Sequence, residues 1–73
     1  METFKIYITF SGGETHTEDH DEKTLGDALV RLTRGPAAAL GIIHEVKVVD
    51  MMDCTVYEHR QGRLIYPIPG VHY

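Results

Sequence analysis

The chain has 73 residues, with eleven Asp and Glu against seven Lys and Arg, a net charge of −4 before its five His are counted. Hydrophobic types make up 42%, enough for a packed core, so wholesale disorder is excluded and the length suits one domain. The acidic balance argues against direct binding of DNA or RNA, which relies on a basic footprint.

The longest stretch without a charged residue or His runs from Gly35 to Ile43 and contains Pro36. It is far short of the roughly 20 apolar residues that a membrane-spanning helix needs. The N-terminal Met-Glu-Thr-Phe-Lys has neither a basic segment nor a long apolar one, so a secretory leader is not expected and the cytoplasm is the expected compartment. Cys54 is the only cysteine. It has no intramolecular disulfide partner and no second thiol for a zinc knuckle, and is expected to be a reduced, half-buried strand thiol.

Phe4, Ile6, Ile8 and Phe10 alternate with Lys5, Tyr7 and Thr9, the period-two signature of a strand with one buried face. Ser11-Gly12-Gly13 breaks it with a turn. Residues 14–22 hold five carboxylates and two His with no basic residue. Like charges this dense favour an exposed, extended loop, although the two Thr allow part of it to continue as a second strand.

A helix is expected from Thr24, whose hydroxyl caps the first turn while Asp27 reaches back in a capping box. Leu25, Ala28, Leu29 and Leu32 form one apolar stripe at helical spacing. Arg31 and Arg34 suit the negative end of the helix. Gly35 and Pro36 then stop it, Gly35 as a left-handed cap. Pro36 to Gly41 reads as one more short helical turn.

Residues 43–50 are rich in β-branched types and predict a strand. Met51-Met52-Asp53 is a turn, residues 54–59 a further strand, and Gln61-Gly62 a hairpin tip before a return strand from Arg63 to Tyr66. Pro67 and Pro69 end the sheet, leaving a short extended tail from Gly70 to Tyr73. The order β-α-β-β-β predicts an α+β two-layer domain, a mostly antiparallel sheet packed on one main helix.

No catalytic constellation is present. Ser11 lies in no Gly-x-Ser-x-Gly elbow, Cys54 has no local activating partner, and Ser11-Gly12-Gly13 lacks the Gly-Lys-Ser/Thr end of a phosphate loop. An enzyme is therefore not expected, nor any cofactor. His16 and His20 among carboxylates offer a metal-binding alternative. Two patches are candidates for partner binding. One is the acidic run, with Glu14, Glu18, Asp19, Asp21 and Glu22 matched to a basic groove. The other is the last hairpin, where Tyr57, Arg60 and Arg63 are of types enriched in binding hot spots. Self-pairing of an exposed strand edge, burying Tyr7 or Val49 in a homodimer, is an alternative role.

The run Thr24-Leu25-Gly26-Asp27-Ala28 at the helix start and the hairpin from Val56 to Tyr66, with its Tyr-Glu-His-Arg-Gln-Gly-Arg core, carry a resemblance. The layout resembles that of small phage and mobile-element proteins of the anti-CRISPR type. That resemblance implies a non-enzymatic inhibitor in the bacterial cytoplasm that blocks a host nucleic-acid-binding protein, foremost a CRISPR-Cas effector, without touching nucleic acid or membrane itself.

Overall fold

The computed structural model describes residues 2–67. Alternating apolar residues become strands and the single stripe becomes the main helix. In chain order these are β1 (Thr3–Phe10), β2 (Thr15–Asp21), α1 (Glu22–Arg34), α2 (Pro36–Ala39), β3 (Ile43–Val49), β4 (Thr55–Arg60) and β5 (Arg63–Tyr66). The five strands form one sheet in the order β2-β1-β3-β4-β5, antiparallel throughout. The expected α+β two-layer architecture is present, with one strand more than the sequence pattern assigned.

The core lies between the middle of the sheet and α1. Ile6 and Ile8 of β1 pair with Val48 and Val46 of β3, and all four are buried with Ala28 and Leu32 of the helix stripe. Leu25 and Leu29 extend that contact, as do Phe4 and Phe10. Directly opposed residues in an antiparallel pair share a face, so the register carries this inward row outward to Glu18 on β2 and Tyr57 on β4. α1 packs over β2, β1 and β3. Among the described residues, no helix packs against the other sheet face.

The run expected as an exposed loop is mostly β2, the outer strand at one edge. Thr15 to Asp21 pair in continuous register with Thr9 to Thr3 of β1. Alternation sends His16, Glu18 and His20 to the helix side, and Thr15, Thr17, Asp19 and Asp21 to the open side. Dividing the charges between two faces relieves the like-charge crowding that argued for a loop.

Helix capping also differs from expectation. Asp21, not Thr24, is the cap, and its carboxylate accepts the backbone N–H groups of Lys23 at 2.9 Å and Thr24 at 3.0 Å. Thr24 lies inside the first turn and donates its hydroxyl to the same oxygen. A strand that ends in Asp delivers a cap at its last residue, so the helix begins two residues earlier than the Thr24 box implied. Gly35 is extended, at φ −81° and ψ −176°, and not left-handed. Glycine is required there for space, because a Cβ would collide with the Arg31 carbonyl oxygen.

The remaining turns follow their chemistry. Gln61 and Gly62 both have positive φ, as a two-residue hairpin turn requires. Asp50 ends β3 by accepting the N–H groups of Met52 and Cys54. Cys54 is exposed in this turn and not half-buried in a strand, because β4 starts one residue later. Pro67 follows directly on β5, while Pro69 and the tail from Gly70 lie outside the described residues. No helix among them is long and apolar enough to cross a membrane.

The two capping arrangements make different predictions for urea unfolding. Asp21→Ala lowers the midpoint by removing a cap, whereas Asp27→Ala, a change on an exposed helix face, leaves it essentially unchanged. Equal shifts in both variants would return the cap to Thr24 and Asp27.

Candidate protein-binding site

The five acidic residues singled out in the sequence do not form one patch. Glu18 turns toward α1, where its Oε1 accepts from Arg31 Nη2 at 2.6 Å and from His20 Nε2 at 2.9 Å. His20 Nδ1 lies 3.0 Å from the Thr24 hydroxyl, which in turn reaches Asp21. One continuous chain of polar contacts therefore ties the edge strand to the first and third turns of the helix. The hydrogen bond from His20, aided by Arg31, holds the Glu18 carboxyl below its usual range against the opposing effect of burial. Asp21 is likewise held low, first by the Thr24 backbone N–H. These two carboxylates serve the fold.

Glu14 sits in the turn before β2 and contacts His16 at 3.3 Å. Glu22 is exposed in the first turn of α1. Asp19 is exposed on the open face, directly across from Lys5. Here the tertiary structure adds what the sequence run did not contain. Asp19 lines a recess of about 430 Å³ together with Thr3, Lys5, Tyr7, Asp50 and Asp53. The β1–β2 and β1–β3 pairings bring Asp19 to the turn that carries Asp50 and Asp53, so three carboxylates stand around one lysine. The sequence pattern places Asp50 at the end of a strand and Asp53 in the turn after it, and no local signal links them to residue 19, about 30 positions away.

The hairpin patch is also divided between faces. Arg60 lies on the open face and is held by Glu45 at 3.0 Å and Glu58 at 2.9 Å. Arg63 is its exposed cross-strand neighbour and forms no ion pair among the described residues. Tyr57 pairs with Val48 on the helix side. Burial raises its phenol above the usual value, with the nearby Arg34 charge pulling the other way. Tyr7 and Val49 lie on β1 and β3, which are paired on both sides, so neither borders a free sheet edge. Among the described residues, the sheet edges are β2 and β5.

His16 and His20 share a face, as the metal alternative needs. On a strand, however, i and i+4 lie roughly 13 Å apart at about 3.3 Å per residue, too far for one ion. Among the described residues no three His, Cys, Asp or Glu side chains converge as a metal site. No protein-family model matches the chain, and neither the curated proteins nor the solved structures contain a match.

What this arrangement offers chemically is charge recognition. The recess presents acceptors for a cationic side chain, and a partner ammonium or guanidinium would make charge-assisted hydrogen bonds there. The Glu18 linkage has its own test. A carboxyl held low in the folded state contributes stability that is full above its unfolded pKa, about 4.3 for Glu. That contribution is lost as pH falls through the lower folded value. Glu18→Gln should cost roughly 1 kcal/mol at neutral pH and flatten the decline in urea midpoint between neutral and strongly acidic pH. An acid limb as steep as that of the unmutated chain would remove Glu18 from it.

Proposed function

We propose that this chain is a non-enzymatic binding domain that docks on a basic, nucleic-acid-binding surface of another protein and blocks it. The acidic recess of Asp19, Asp50 and Asp53 carries this reading, while Glu14, at the opposite end of β2, and Glu22, on α1, lie outside it. Three carboxylates from two separate segments stand around one open-face depression, where phosphates of a nucleic acid would otherwise meet the partner's Lys and Arg. The layout that resembles anti-CRISPR inhibitors makes a CRISPR effector the foremost partner, in the bacterial cytoplasm. Glu18 and Asp21 support this surface by holding β2 in place, and the hairpin residues Arg60 and Arg63 lie on the same sheet face as secondary contacts.

The test uses a panel of guide-loaded CRISPR effectors, their target-DNA binding measured with and without the chain. Target binding by at least one effector should fall. The double variant Asp19→Asn and Asp53→Asn should associate with that effector roughly ten-fold more slowly, since opposite charge acts chiefly on the on-rate. Raised salt should slow the unmutated chain in the same way. Asn suits position 53 because it tolerates the positive φ, 61°. A panel in which no effector loses DNA binding contradicts the proposed partner. An unchanged on-rate in the double variant contradicts the recess.

A further inference from the structure

On the helix side of the sheet, α1 covers only the strands nearest β2. The hairpin of β4 and β5 extends beyond it, leaving a groove of about 380 Å³ between the last turn of α1 and the hairpin. Its lining is Thr33, Arg34, Tyr57, His59, Gly62 and Leu64. In a chain of net charge −4, no carboxylate among the described residues lines this depression. The Tyr57 and His59 rings stack nearly parallel, 5° apart with centroids 6.4 Å from each other, and form one wall. Leu64, across from His59 on β5, supplies an exposed apolar surface beside it.

Arg34 stands at the rim, exposed and without an ion pair among the described residues. By contrast, Arg31 one turn earlier is committed to Glu18, and Arg60 on the opposite face to two glutamates. The negative end of a helix would ordinarily oppose an anion here. Here the full positive charge of Arg34 exceeds the roughly half charge of the helix end. A guanidinium donor, an imidazole, a phenol and an apolar floor therefore meet in one open groove.

We propose that this groove is a second binding site, and that it receives an acidic peptide segment of a partner protein. A carboxylate of the segment pairs with Arg34, and an adjacent apolar or aromatic side chain lies on Leu64 and the Tyr57–His59 wall. A peptide fits better than a nucleic acid because the groove offers a single unpaired Arg, whereas a phosphate backbone is met by several cations. The site lies on the other face from the acidic recess and is independent of it.

The test is a titration of the isotope-labelled chain followed by amide and side-chain NMR. The probes are the blocked tetrapeptide Glu-Leu-Phe-Glu, its uncharged counterpart Gln-Leu-Phe-Gln, and a thymidine tetranucleotide. The acidic peptide should give saturable shifts centred on Arg34, Tyr57, His59 and Leu64. The uncharged peptide should bind roughly ten-fold more weakly, the equivalent of one charge-assisted hydrogen bond, and Arg34→Gln should remove the difference between the two peptides. The same spectra report whether the variant is folded. Equal binding of the two peptides, tighter binding of the tetranucleotide, or no saturable shift in the groove overturns the proposal. Concentration-dependent shifts of these residues in the peptide-free chain, with a doubled mass in solution, overturn it in favour of a second copy.

Discussion

The contact of Glu18 with Arg31 and His20 is the one on which the acidic half of the molecule depends. A strand carrying Glu18, Asp19 and Asp21 at a free sheet edge has little apolar burial of its own to hold it. The inward row of β2 is His16, Glu18 and His20, and these side chains reach the core only at its rim. Pairing Glu18 with a helix arginine turns an unfavourable inward charge into a cross-link between strand and helix. Once that side is fixed, alternation commits Asp19 and Asp21 to the other side. Asp21 caps α1, and Asp19 meets the turn bearing Asp50 and Asp53. The edge is also protected against pairing with other strands, since a charged outer strand is a poor template for aggregation.

A second constraint is size. One helix of 13 residues cannot cover both faces, or even the whole of one face, of a five-stranded sheet. It packs where the apolar row is densest, over Ile6, Ile8, Val46 and Val48. The uncovered remainder is therefore dictated by packing, and it is where recognition chemistry has room. The open face carries an acidic recess near β1 and β2, and the helix side carries a groove over β4 and β5 that no carboxylate among the described residues lines. Opposite electrostatic character at the two places suits the two kinds of partner proposed above, and the sign of each surface is set by a few named residues.

Much of the fold was legible because it is encoded locally. The β1 alternation, the Leu25 to Leu32 stripe, the Gln61-Gly62 turn and the limits of β5 each rest on residues adjacent in sequence. β2 was harder to read because its inward positions are His and Glu, so the usual apolar signal of a strand is replaced by polar groups whose partners lie on α1. Only the two Thr hinted at it. The cap was misplaced for a related reason: with β2 unrecognised, Asp21 was part of a loop and Thr24 was the first capping type beside the apolar stripe. The two proposed binding surfaces are the least legible. Asp19 was visible as a charge, but its grouping with Asp50 and Asp53 exists only through strand pairing. Arg34 was read as a complement to the helix end, and nothing in the sequence places Tyr57 and His59 next to it.

Amide hydrogen exchange of the unmutated chain tests most directly whether residues 15–21 form an ordered strand clamped to the helix. The account predicts that amides of β2 hydrogen-bonded to β1 exchange slowly at neutral pH, well protected relative to the Ser11 to Gly13 turn, although less than those of the central β1–β3 pair. Exchange throughout 15–21 at the rate of an unstructured peptide would contradict it, since the Glu18 contact, the Asp21 cap and the acidic recess all require β2 to be in place.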